Sequence, residues 1–102
     1  MIFCFICKDG SDAPRLRKQH LEAHLDHIEK VVDSMPVAGP VSDPQGKLCA
    51  SLIMIDAASE TAAWDIFNLD PYAKAQVWSS IEVMPFAPSA GTWLGGVTWK
   101  KS

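Results

Sequence analysis

The sequence predicts an α+β domain whose elements run strand, helix, strand, strand, helix, strand. Three observations carry this. Apolar runs at 1–8, 47–57 and 78–86 are short enough for strands and sit between turn signals. One long stretch, 13–34, repeats apolar residues at helical spacing. Proline, aspartate and serine stand at the junctions where helices begin. At 102 residues the chain is long enough for one domain and too short for two.

Taken in order, Met1 to Cys7 is a near-continuous apolar run, as expected of a strand buried on both faces. It has no basic leader-type start and passes directly into the Lys8-Asp9-Gly10 turn, so it reads as a strand and not a signal peptide. Ser11 or Asp12 can cap the following helix, with Pro14 in its first turn. Within residues 13–34, Leu21, Leu25, Ile28 and Val32 form a stripe expected to face the core, and Pro36 ends the helix. Residues 37–42 are extended and Asp43-Pro44-Gln45-Gly46 is a turn. The strand at 47–57 leads to Ser59, a cap for a helix over about 60–68. Asp70-Pro71 opens another short helical turn, aspartate as cap and proline at its first position. The last strand spans 78–86, and a tail with Trp93 and Trp99 follows.

This order fits a split βαβ pair, the ferredoxin-like arrangement with a four-stranded antiparallel sheet. Two helices cover only one face of such a sheet, and these strands are too apolar for the other face to meet water. A second subunit packed sheet against sheet is the simplest cover. The tail either adds to that contact or packs on its own subunit.

Composition narrows the function. The net charge is −3, with no basic stripe, which argues against nucleic acid as a partner. No run approaches the roughly 18–20 apolar residues of a membrane span. The cysteines, Cys4, Cys7 and Cys49, are odd in number, against a secreted disulfide framework and for a cytoplasmic protein with buried thiols. Cys4 and Cys7 have Cys-x-x-Cys spacing, but on a strand they point to opposite faces.

All three histidines fall within eight residues, His20, His24 and His27. With the leucine stripe at the buried centre, His24 sits roughly 60–70° to one side and the other two lean outward, expected in solvent. A border position lets an imidazole be partly desolvated yet reach a ligand. The His20–His24 spacing puts two rings on one helix face, as in zinc-binding helices, but a third ligand on one straight helix converges poorly, so no metal and no cofactor is expected. His24 is either a site residue or a half-buried structural histidine.

Several pieces of the chain, in this order, carry a resemblance: the opening apolar strand, Arg15-Leu16-Arg17, Ala23-His24-Leu25, Ala38-Gly39-Pro40, Asp70-Pro71-Tyr72-Ala73 and Ile81 through Pro85-Phe86. Together they resemble the YciI-like (YCII-related) family over about residues 1–87. On that resemblance the chain is a single YciI-like domain over 1–102, with residues 88–102 as a C-terminal extension. The resemblance implies a ferredoxin-like subunit in a dimeric α+β barrel and a site centred on a histidine and an aspartate. The histidine falls on His24 and the aspartate is taken as Asp70. A related enzyme is a dehydrochlorinase of a chlorinated hydroxyhydroquinone, and the fold is similar to that of muconolactone isomerase. Family members usually carry an arginine a few residues before the histidine; here the nearest preceding basic residues are Lys18 and Arg17.

Helical rotation leaves Asp70 open as that aspartate or as a helix cap alone. Asp33 and Asp26 point away from His24 on its own helix, whereas Asp70 arrives from another element. Capping and site roles are compatible there, since a capping carboxylate is held rigid. Gly39, Pro40, Ser42 and Tyr72 are the expected substrate-binding positions: the glycine for close approach, the proline as strand end or pocket wall, Ser42 as a polar group, and Tyr72 as a hydroxyl near Asp70 or as packing. Two functions stay open: a cofactor-independent lyase or isomerase with His24 moving a proton and Asp70 orienting it, and a non-catalytic metabolite-binding or assembly module. Haem binding through a histidine is a third.

Overall fold

β1 (Ile2–Asp9) lies inside an antiparallel sheet of order β2-β3-β1-β4, flanked by β3 (Leu48–Asp56) and β4 (Trp78–Phe86), with β2 (Ala38–Ser42) at one edge. This is the ferredoxin-like order expected from the sequence. The computed structural model describes residues 1–100. α1 (Ala13–Val31) connects β1 to β2, and α2 (Glu60–Phe67) with the short α3 (Pro71–Lys74) connects β3 to β4. Among the described residues no helix is long and apolar enough to cross a membrane.

Local signals place the helix starts well. Ser59 accepts a hydrogen bond from the Ala62 N–H at 3.1 Å, and Asp70 accepts from the Tyr72 N–H at 2.9 Å with Pro71 beside it. α1 differs. Asp12 holds the N-cap position without capping, because its carboxylate pairs with Arg15 instead. The helix expected through residue 34 stops at Val31 and tightens into a 3₁₀ turn over Val32–Ser34.

Alternation along the strands sets the two faces of the sheet. Phe3, Phe5, Cys7, Ile53 and Ile55 point toward the helices and form the core with Ala63, Phe67, Tyr72, Val77 and Trp78. Phe5 stacks on Phe67 with centroids 4.5 Å apart and meets Trp64 edge-on at 5.0 Å. The core therefore sits under α2 and α3. β1 is packed on this face alone, not on both faces as its apolar run suggested. Register puts Ile2, Cys4 and Ile6 on the opposite face, beside Leu52 and Met54 of β3 and Met84 and Phe86 of β4. Met84 and Phe86 are exposed there.

The stripe of α1 is reversed relative to expectation. Leu21, Leu25 and Val32 are exposed, at 48%, 50% and 53%, while His27, expected in solvent, is 8% exposed. The helix is rolled so that its histidine side meets α3, and the leucines overhang the sheet near β2 and β3. Cys49 is likewise exposed and not a buried thiol, whereas Cys7 is buried. Beyond β4 the tail makes a small hairpin of β5 (Ala90–Gly91) and β6 (Gly96–Val97), with Trp93 and Trp99 exposed. Residues 101 and 102 of the predicted extension lie outside the described residues.

Candidate active site

Between α1 and the β2–β3 side of the sheet is a cavity of about 510 Å³. Leu21, Leu25 and Ile28 wall it from the helix, and Ala38, Pro40, Leu48 and Ile53 from the strands. Its polar lining comes from Arg17, Lys18, His24, Ser51 and Tyr72. A second cleft of the same volume lies between α1 and α3, lined by Arg15, Gln19, His20 and Lys74 among others. Its apolar lining is limited to Leu16, Pro71 and Ala75 and it lacks the His24 ring, so the first cleft is the better place for chemistry on an organic molecule.

His24 and Asp70, 46 positions apart, meet across α1 and α3: His24 Nδ1 is 2.7 Å from Asp70 Oδ1. Asp70 is 2% exposed, held by its own cap bond to the Tyr72 N–H. The same carboxylate thus caps α3 and engages the imidazole. A carboxylate only accepts, so Nδ1 donates, and Nε2 is left as the basic nitrogen without a partner among the described residues. The Tyr72 ring stacks on the imidazole at 3.8 Å, with planes 1° apart, and its hydroxyl donates to the Arg17 carbonyl at 2.9 Å. Ring and hydroxyl together fix the position of α1 on α3.

The three histidines do not converge. His20 lines the other cleft and His27 is buried with its Nε2 unpartnered. Burial holds the His27 imidazole below its ordinary value, opposed by the nearby charge of Asp70. The Cys7 thiol, also near Asp70, is pushed up to about 12 by burial first and by that negative charge second, so it is an inert thiol.

Of the expected substrate-binding positions, Gly39, Pro40 and Tyr72 line the cavity. Gly39 has open space over it: a Cβ there would meet nothing within 4 Å. Ser42 is displaced from the site. It is exposed at the end of β2, opposite Leu48 past a bulge, and the cavity's serine is Ser51. Sequence reasoning missed Ser51 and the role of Arg17. Arg17 pairs with Asp9 through Nε at 3.0 Å and Nη2 at 2.8 Å, and Nη2 also reaches Ser51 Oγ at 3.1 Å. Two signals were available: Arg17 is seven residues before His24, hence on nearly the same helix face, and Ser51 is a hydroxyl within an apolar strand.

Comparison with known proteins agrees with this architecture. The family model described as YCII-related domain matches residues 1–87. The chain belongs to the YCII-related family. No curated protein matches it. Among solved structures it is similar to 5-chloro-2-hydroxyhydroquinone dehydrochlorinase from Burkholderia phenoliruptrix AC1100, in complex with 2,5-dihydroxybenzoquinone. The TM-score is 0.75 at 22% identity, covering 90% of this chain and 97% of that one. At that identity the likeness establishes the shared fold.

Proposed function

We propose that this YCII-related protein is a small-molecule enzyme of lyase or isomerase type, with His24 as general base and Asp70 as the group that orients it. The observation that carries the reading is the 2.7 Å contact between His24 Nδ1 and a buried carboxylate, at the wall of a mostly apolar cavity. Such a pair does one thing well. Asp70 fixes the tautomer and stabilises the imidazolium, so Nε2 can take a proton from a bound molecule and return it elsewhere. Removing a proton beside a leaving group, or moving one between two carbons of an enol or ketone, needs only this. The solved neighbour is a dehydrochlorinase, and dehydrochlorination is an elimination of that kind, which favours a small cyclic substrate of hydroquinone or cyclic enone type.

The sheet's open face supports a second copy of the chain as partner, in the manner of a dimeric α+β barrel. Ile2, Cys4, Ile6, Leu52, Met54, Met84 and Phe86 neighbour one another on this face, bordered by Glu82 and Asp56, while the core packed under the helices lies on the other face.

The test is turnover of 5-chloro-2-hydroxyhydroquinone and related chlorinated hydroquinones, read by chloride release and quinone absorbance. His24→Ala and Asp70→Asn are each expected to lower kcat at least 100-fold with the fold retained. Equal turnover by the wild type and His24→Ala would overturn the mechanism. Small-molecule binding by the wild type with no turnover across the series would favour the non-catalytic binding module.

A further inference from the structure

Resting on the readings of the cavity as a substrate site and of a second copy of the chain as partner, we infer that the tail hairpin of that second copy closes the cavity, with Trp93 laid over its mouth. The tail lies beyond the residues that the family model matches, 1–87. It is nonetheless a formed element. β5 and β6 pair with each other, and the Thr98 N–H donates to the Ser89 carbonyl at 2.9 Å. Gly95 takes the left-handed conformation, φ 79°, that ends the 3₁₀ turn Thr92–Leu94. That turn carries Trp93 at 85% exposure with Leu94 beside it, and Trp99 follows at 68%. Aromatic rings held in water by an ordered turn mark a surface that another surface covers.

The hairpin finds no such cover in its own chain. Residues 88–100 hydrogen-bond to one another and, through Ser89, to Ala87, and to nothing else among the described residues. The radius of gyration is 14.6 Å, above the roughly 13 Å of a compact chain of this length, in keeping with a hairpin that projects. A second uncovered apolar surface is the cavity wall, where Leu21 and Leu25 of α1 and Leu48 of β3 are about half exposed. This wall lies at the β2 edge of the sheet, and all five residues of β2 are exposed. The tail leaves β4 at the opposite edge, three strand spacings or about 14 Å away across β3 and β1.

A two-fold axis brings the two surfaces together. The tail continues from Met84 and Phe86, on the open face where the partner sheet packs. With two sheets face to face and the axis along the strands, the order β2-β3-β1-β4 runs in reverse in the partner. The partner's fourth strand, and the hairpin beyond it, then stand over this copy's β2 edge, beside the leucine wall. The exchange is reciprocal, so each cavity is completed by the other chain.

Charge agrees. Glu22 and Glu29 border the leucine row on the solvent side of α1, and neither has an ion-pair partner among the described residues. Lys100 follows Trp99 in the tail, and Lys101 comes next in sequence. The closure supplies what the open cleft lacks. A ring over the mouth excludes water and strengthens the electrostatic contacts inside, that of His24 with Asp70 among them. An aromatic lid facing Leu21 and Leu25 suits a flat ring as the bound molecule.

The experiment asks which chain the hairpin touches. In a background of Cys4→Ala and Cys49→Ala, which leaves only the buried Cys7, Glu22→Cys and Thr92→Cys are introduced together on the full chain and treated with a short bismaleimide. Both positions are exposed, so the fold is retained. The double variant is expected to run as a covalent dimer on a denaturing gel, and each single variant as a monomer. Beside it, methyl NMR follows Leu21 and Leu25, whose signals the Trp93 ring holds upfield in the wild type. Trp93→Ala should move them downfield, and Trp93→Phe should restore most of the shift. A link within one chain, no link, a covalent dimer from Thr92→Cys alone, or unmoved methyl signals would overturn the closure. A wild type that is dimeric by light scattering alongside such a result leaves the sheet-to-sheet dimer standing, whereas a monomer overturns both. Turnover lost in His24→Ala is read separately, so the mechanism stands or fails apart from the lid.

Discussion

Replacing Asp70 by alanine removes two bonds made by one buried oxygen. The cap bond to the Tyr72 N–H is worth about 1 kcal/mol. The bond to His24 Nδ1, at 2.7 Å and with one partner 2% exposed, is charge-assisted and worth about 1.5–3 kcal/mol. The expected loss is therefore about 3 kcal/mol, or roughly 12–24 °C in Tm for a domain of this size. Asp70→Asn keeps an acceptor for the Tyr72 N–H and a neutral bond to the ring, so about 1 kcal/mol is expected. The contact is isolated by a double-mutant cycle with His24→Ala, from urea unfolding followed by tryptophan fluorescence at one fixed protein concentration. Trp78 suits that readout, being buried in the core with Phe67 and Tyr72 beside it. A coupling energy of about 1–2 kcal/mol is expected. Coupling below about 0.5 kcal/mol would refute the reasoning, because Asp70 would then act only as a cap and His24 would be held by Tyr72 alone.

Other measurements follow from the same structure. Burial lowers the His27 pKa in the fold, so between that lowered value and the ordinary 6.5 the unfolded chain binds a proton that the native chain does not. Its contribution to stability is full above about pH 6.5 and is lost as pH falls below it; His27→Leu should flatten that part of the Tm–pH curve, and an unchanged slope would count against the burial. At pH 8 iodoacetamide should label exposed Cys49 in the native protein and reach Cys7, pushed up to about 12, only after unfolding, as read by peptide mass. Cys4 lies between Met54 and Met84 in the register, at the centre of the open face; Cys4→Arg should halve the mass seen by light scattering, and a wild type already monomeric would remove the dimer. Gly39→Ala, facing open space, should cost under about 0.5 kcal/mol in the monomer, measured by urea unfolding.

How much of this was legible in the sequence depends on how local each signal is. Ser59, Asp70-Pro71 and the 78–86 strand fell where expected because a cap, a proline or a bounded apolar run states its own conformation. The His24–Asp70 pairing came from helical rotation and from family resemblance, and the structure brings the two side chains together. Ser42 follows a Gly-Pro step, but the register shift between Val41 and Ser42 sets it opposite Leu48 and outside the cavity. Ser51, on the inward side of β3, could have been found by asking why a strand so apolar keeps a hydroxyl facing its core.

The reversed stripe of α1 is the more general point. Leu21, Leu25 and Ile28 recur at helical spacing, and periodicity reads any such row as the side that is buried. Periodicity reports only that a surface avoids water; it does not say whether protein or ligand covers it. In this chain the row overhangs a cavity of about 510 Å³, and the side of the helix that packs carries Ala13, His24 and His27. Two features in the sequence were in tension with a leucine core: a histidine every three or four residues along one side, and a tyrosine following the Asp-Pro cap to stack on one of them. Titratable rings buried against a neighbouring helix lower stability unless something offsets them, and the buried His27 Nε2 has no partner among the described residues. A helix that packs by its histidines and leaves its leucines to a cavity is arranged for binding at the expense of burial, and that arrangement places His24 at the edge of an apolar cleft.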